Sequence, residues 1–401
     1  MITAIKNVHI FDGENIIDDR LILIEGERIH SIGGVIPIEA TVIDANNATL
    51  LPGLIDSHVH TDIEGLHDAL LFGVTTELEM NGQWSSSRRK KIAKRHDVAD
   101  FRSPGMGVTP PGGHPSQYMK SSNNLLIKFF YRYPFVSTPD EAIKFVNKQV
   151  NNGADYIKIF IEDGTTVGFP GLTVISNDTL LATVKEAHRL GKMAIAHVST
   201  FDGTQKAISA GIDGLAHLFF DRQITPELTE TIASSGAFVT PTLVTLSTAF
   251  GNSAAALAAD KRVSSKLSRK WLDSLSRSMN VYPQGNLKDA FASVMALHNA
   301  GVEILAGSDV SEPIPILGGL AHGASLHHEL QMLVEAGMKP IEALRSATSI
   351  PAKRFGLTDR ARIVPGTRAD LILVNGDPMT NISDTLSIID IWRSGTKLAK
   401  H

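Results

Sequence analysis

The residues with the plainest chemical potential close the run Leu-Leu-Pro-Gly-Leu-Ile-Asp-Ser-His58-Val-His60. In an extended strand, residues two apart project from the same face, so these two imidazoles can grip one metal ion. Three more ligand-type side chains end apolar runs: Met-Ala-Ile-Ala-His197, Gly-Leu-Ala-His217 and Ile-Leu-Ala-Gly-Ser-Asp309. Taken singly, each histidine reads better as a hydrogen-bonded core residue. Four histidines and an aspartate, all at the ends of predicted strands, point instead to a shared metal centre. The 401-residue chain has 15 histidines and no cysteine. Disulfides, thiolate zinc sites, iron–sulfur clusters and cysteine nucleophiles are therefore excluded, and metal or nucleophilic chemistry falls to imidazole, carboxylate, hydroxyl or lysine.

Lys158 is the anomaly. It lies in Tyr-Ile-Lys-Ile-Phe, apolar on both faces of the predicted strand, where a buried ammonium is costly without a partner. Either it pairs with a carboxylate such as Glu77 or Glu79, or it joins the histidines. The second role requires that its charge be removed or inverted, because a bare ammonium is repelled by divalent metal. The loop Thr109-Pro-Pro-Gly-Gly-His-Pro-Ser116 has a path set by its prolines and glycines, and it can present His114 to a pocket, with Tyr118 a weaker candidate. A loop-stabilising role is the alternative for His114.

The elements that must position these residues are legible as patterns. Short β-rich runs (2–10, 21–24, 28–32, 41–44) alternate with turn signals in the first fifty residues, and the C-terminal runs 369–374 and 388–392 behave likewise, predicting an antiparallel module built from both ends. Between them, strand-like runs alternate with helical patterns. Thr138, Pro139 and Glu141 predict a capped helix start, and Ala142, Ile143, Val146 and Val150 an apolar stripe. Strands ending near His60, Glu79, Val108, Phe160, His197, His217, Thr240 and Asp309 predict an α/β protein of the (β/α)₈ barrel class, whose active sites lie at the C-terminal strand ends. The interval 243–300 is too long for a simple connection and is expected to form a cap or a contact between copies of the chain. The expected division is a β-sandwich from 1–51 and 357–401, and a barrel from 52–356.

The pattern His58-x-His60 after Pro-Gly-Leu-Ile-Asp, with Lys158, His197, His217 and Asp309, resembles the amidohydrolase superfamily, in the branch with two metal ions bridged by an N-carboxylated lysine. Ala196-His197 through Gly203, Ala207-Ile208 and Ala210-Gly211 to Ala216-His217 is similar to the imidazolonepropionase-like and Xaa-Pro dipeptidase-like subgroup, which includes ochratoxin-hydrolysing amidases. So are Glu329-Leu330 to Gly337, Pro340 to Ala347-Thr348 and Pro365 to Leu371. The resemblance implies that His58, His60 and Asp309 hold one metal, that His197 and His217 hold the second, and that carboxylated Lys158 bridges them. Asp309, at the rim, is expected to move the proton in hydrolysis of an amide-type bond; related enzymes carry a Gly-Gly-His near the substrate, which implies a substrate contact for His114, with Tyr118 the weaker candidate. Zinc is the expected metal, although manganese, cobalt and iron suit the same ligands. The chain departs from the family at Ala216-His217-Leu218, where Glu-His-Gly is common, and at Glu77-Leu78-Glu79, where Arg-Asp is usual.

The expected substrate is a small amide: a dipeptide, or an N-acyl or aryl-amide amino acid derivative. Deamination, or opening of a cyclic amide or lactone, is the alternative on the same scaffold. The formal charge of −4 gives no general attraction to nucleic acid or anionic membrane. Arg88 to Lys91 with Lys94 and Arg95 reads as a solvated helix face. His322, His327 and His328 read as packing residues of a helix, at most one of them reaching the site. With no secretory signal pattern and no apolar run long enough to span a bilayer, a cytoplasmic homo-oligomer is expected.

Overall fold

The computed structural model describes residues 2–121 and 133–399. The first predicted run, 2–10, is two strands in two sheets. Asn7 takes a left-handed φ of 54°, which asparagine tolerates better than most residues, and the chain changes sheets there. Ile2–Lys6 lies in a four-stranded sheet with Leu21–Glu25, Arg28–Ile32 and Thr41–Asp44, while His9–Phe11 lies in a six-stranded sheet. That second sheet draws on both chain ends, Thr49–Pro52 pairing antiparallel with Leu371–Val374. Not all pairing is antiparallel: Ile2–Lys6 runs parallel to Thr41–Asp44, and His9–Phe11 to Thr49–Pro52. Ile5, Ile22, Leu50, Leu371 and Trp392 are among the residues of their shared core.

The middle of the chain is a parallel system. Leu54–Val59, Val74–Glu79 and Asp100–Arg102 form one ladder; Ile157–Ile161, Ala194–Val198, Gly214–Ala216 and Phe238–Thr240 form another. Single bridges join them: Val108 to Ile159, Val239 to Ile304 and Val59 to Val310. The Asp309 N–H donates to the His58 carbonyl at 2.7 Å. Eight segments thus connect in a circuit. The third and eighth are more broken than the sequence predicts. Pro104 lacks an N–H for a ladder, Gly105 takes φ +69° and Asp309 φ +54°, so neither segment stays extended.

Helices lie between the strands. Pro139–Asn151 starts as expected, the Thr138 hydroxyl accepting from the Glu141 N–H at 3.3 Å. Its buried face is Ala142, Phe145, Val146 and Gln149, and Ile143 is exposed, so the stripe sits slightly round the helix from the predicted one. The 243–300 interval holds Leu243–Ala249, Ala255–Ala259, Lys261–Ser264, Arg269–Leu275 and Leu287–Asn299. The last of these packs against Pro226–Ser235 and Ala324–Ala336. Among the described residues, no helix is long and apolar enough to cross a membrane.

Candidate metal centre

Because the strands run parallel, their C-terminal ends reach one rim, and a cavity of about 720 Å³ opens there. His58, His60, Lys158, His197, His217 and Asp309 all line it, together with His114 and Tyr118. The structure therefore brings every candidate residue to one place. Asp309 Oδ1 lies 3.2 Å from His58 Nε2 and 3.3 Å from His60 Nε2, and its Oδ2 lies 3.9 Å from His217 Nε2. One ligand atom from each of His58, His217 and Asp309 falls within 4.8 Å of the others. The His197 and His217 rings meet edge to face, with centroids 4.7 Å apart.

Two of these residues hold unusual backbone. His217 has φ +77° and Asp309 φ +54°, and Thr242, behind His217, has φ +50°. Side-chain-bearing residues adopt this region at a cost that concentrates at functional sites. It aims His217 and Asp309 inward from the ends of their strands. The Thr242 hydroxyl lies 2.7 Å from His217 Nδ1, which leaves Nε2 toward Asp309.

Electrostatics favour neutral imidazoles. Burial, then the neighbouring charges of Lys158 and the other histidines, holds His58, His197 and His217 well below the usual histidine value. Lys158 is fully buried, and burial pushes its amine down to about 7. Its Nζ has no hydrogen-bond partner. Neither suggested carboxylate pairs with it: Glu77 faces His322 Nδ1 at 3.2 Å, and Glu79 accepts from the Asn81 N–H at 2.6 Å and from Ser103 Oγ. An amine of lowered pKa without a hydrogen-bond partner, four imidazoles and one aspartate form a donor set that fits divalent cations.

His114 stacks on His197 at a centroid distance of 4.5 Å and an angle of 21°. The Gln117 amide donates to its Nδ1 at 2.7 Å, so the ring proton lies on Nε2. Tyr118 meets His114 edge-on at 5.7 Å, and burial raises its hydroxyl to about 12. His322 lies just before the helix Ala324–Ala336 and also lines the cavity. His327 spans the Phe72 carbonyl and Thr385 hydroxyl, a structural role. In the basic run, Arg88 covers Trp84 and Arg89 pairs with Asp155, so that face is partly tied to the fold.

Sequence reasoning missed seven contributors. Glu162 follows the Lys158 strand and reaches His197. It is another ligand-type residue at a strand end, the signal that located the histidines, but Glu162-Asp163-Gly164 reads as a polar turn. Thr242 had no signal. Trp271, Met279 and Val281, from the 243–300 interval, and Ile314 and Ile316, after Asp309, form much of the cavity wall.

The sequence model of the amidohydrolase family matches residues 49–398. Ochratoxinase from Aspergillus niger is 26% identical over 266 residues, 64% of this chain and 48% of that protein. The chain thus spans about half the length of the curated relatives it matches. Among solved structures, a Xaa-Pro dipeptidase with bound methionine aligns with a TM-score of 0.74 at 23% identity, covering all of both chains. Molinate hydrolase aligns at 0.76 and 20% identity, covering 99% of this chain and 94% of that one. At such identities the structural likeness is one of fold. The family match takes in every residue that lines the centre, from His58 to Asp309, and with it most of the parallel circuit; this chain belongs to the amidohydrolase family.

Proposed function

We propose that the protein is a metal-dependent hydrolase that cleaves an amide-type bond in a small molecule such as a dipeptide or an N-acyl or aryl-amide amino acid derivative. The convergence of four imidazoles, Asp309 and a Lys158 amine without a hydrogen-bond partner in one cavity carries this reading. In it, the eight-segment circuit is a (β/α)₈ barrel over residues 52–356, with a β-sandwich from 1–51 and 357–401. His58, His60 and Asp309 would hold one cation, and His197 and His217 a second. Lys158, carboxylated, would bridge them. Zinc held by these residues would supply Lewis acidity, which would make water more acidic and polarise a substrate carbonyl.

The chain's own groups do the rest. Asp309 is partly open to the cavity, with a side-chain exposure of 17%, and its carboxylate accepts a proton from the attacking water and returns it to the leaving amine. The Nε2–H of His114 donates to the substrate's carbonyl or carboxylate, and Tyr118 borders the same position. Phe169, Phe220, Met279, Val281 and Ile316 wall the space above and exclude water around an apolar substituent.

The test is metal analysis joined to a substrate panel. The expectation is about two divalent ions per chain and hydrolysis of members of a dipeptide and N-acyl amino acid panel, abolished by chelation and restored by metal. A metal-loaded protein inert toward amides, esters and lactones, or full activity after exhaustive chelation, would sink the proposal.

A further inference from the structure

Glu162 has no part in the proton transfers described above, yet it is among the most thoroughly held carboxylates near the cavity. Its side chain is fully buried and its Oε2 lies 3.1 Å from His197 Nε2. Ser199 Oγ donates to the same oxygen, and the Gly164 N–H donates to Oε1 at 2.7 Å. The Thr166 hydroxyl lies 2.6 Å from Ser199 Oγ, extending the chain of hydroxyls outward. Glu162 is thus fixed from several directions, with one face left for the histidine. A carboxylate only accepts hydrogen bonds, so the nitrogen facing it must carry the ring proton.

We infer that Glu162 is a positioning residue that holds the His197 proton on Nε2 and so presents Nδ1 as the lone pair for a cation. The inference rests on the metal centre proposed above. Its neighbour is arranged the opposite way. His217 has Nδ1 against Thr242 and Nε2 toward Asp309, so the two histidines assigned to one cation turn different ring atoms to it. The difference follows from their surroundings. The His197 ring is confined by His114 stacked on it and by His217 edge-on at 4.7 Å, and Glu162 is the acceptor that Nε2 meets. A ligating histidine that donates its second N–H to a carboxylate is oriented and made more basic, and loss of such a partner weakens metal affinity roughly 10- to 100-fold.

The tautomer can be read without metal. In chelated protein carrying ¹⁵N-histidine, two-bond ¹H–¹⁵N correlations distinguish Nε2–H from Nδ1–H, and the His197 signals are those missing from His197→Asn. The expected result is Nε2–H for His197 in the parent, retained in Glu162→Gln, whose amide oxygen still accepts, and lost to a mixed population in Glu162→Ala. Zinc titration should then rank affinity as parent, Glu162→Gln, Glu162→Ala, with the last weakened roughly 10- to 100-fold. A purely structural role for Glu162 would lower stability in both variants without moving the tautomer. Nδ1–H in the parent would overturn the inference. So would an unchanged tautomer in Glu162→Ala, or, where that variant does not fold, a Glu162→Gln protein whose zinc affinity equals the parent's. A parent that shows Nε2–H but takes up no zinc would refute the metal centre, while the proton-holding role of Glu162 would stand.

Discussion

Replacing Lys158 with methionine is expected to stabilise the metal-free protein while abolishing its metal site, two effects of opposite sign from one substitution. The amine is fully buried with no hydrogen-bond partner, and burial lowers it from 10.5 to about 7. The folded state therefore binds this proton less tightly than the unfolded chain does. The penalty is complete below pH 7, where both states are charged, and is relieved as pH rises toward 10.5, so stability from this group increases with pH across that window. Each tenfold loss of proton affinity on folding corresponds to about 1.4 kcal/mol, which makes the penalty about 5 kcal/mol at pH 6 and about 2 kcal/mol at pH 9. Methionine has a similar unbranched shape and no charge, so it fills the site without that cost. The assay is urea denaturation of chelated parent and Lys158→Met in carbonate-free buffer at both pH values, with metal content measured after reconstitution. The variant's gain should be large at pH 6 and roughly halve at pH 9, while its metal content falls. A variant less stable than the parent at pH 6, or a gain independent of pH, would show that the amine has a compensating partner and would refute the reasoning.

Two further substitutions probe the centre from its edges. Asp309→Asn should leave the circular dichroism spectrum and most metal uptake intact but lower kcat about 10²- to 10⁴-fold, the usual worth of a positioned acid–base group; turnover near the parent's would remove Asp309 from the proton path. At Gly307 an added Cβ would lie 2.5 Å from Thr240 Cγ2 and 2.9 Å from the His58 backbone nitrogen. Gly307→Ala should therefore cost about 1–3 kcal/mol by overpacking and weaken metal binding through His58, and an unchanged thermal midpoint would contradict that close approach.

Much of this centre is legible locally. His58, His197, His217 and Asp309 each end or follow an apolar run, and parallel strands carry such ends to one rim whatever the details of the helices. Lys158 announced itself by polarity in an apolar strand. Less visible was anything depending on a single backbone angle. Asn7 divides one predicted strand between two sheets, and Pro104 with Gly105 interrupts the third circuit segment, because hydropathy does not encode a left-handed φ. Glu162 was hidden for a related reason. Glu-Asp-Gly looks like a solvated turn until Ser199, the Gly164 N–H and His197 close around the carboxylate.

The sequence alone determined which groups can act: imidazole, carboxylate and amine, never thiol, each delivered to a strand end by short-range periodicity. It could not say whether Lys158 is paired. The structure places Glu77 against His322 and Glu79 against Asn81 and Ser103, leaving the amine unpartnered among the histidines. Nor could it say which ring nitrogen each histidine offers, or that Trp271, Met279 and Val281 return to wall the cavity. These depend on contacts between residues far apart in the chain. Periodicity reports which face a residue occupies; only packing decides what that face meets.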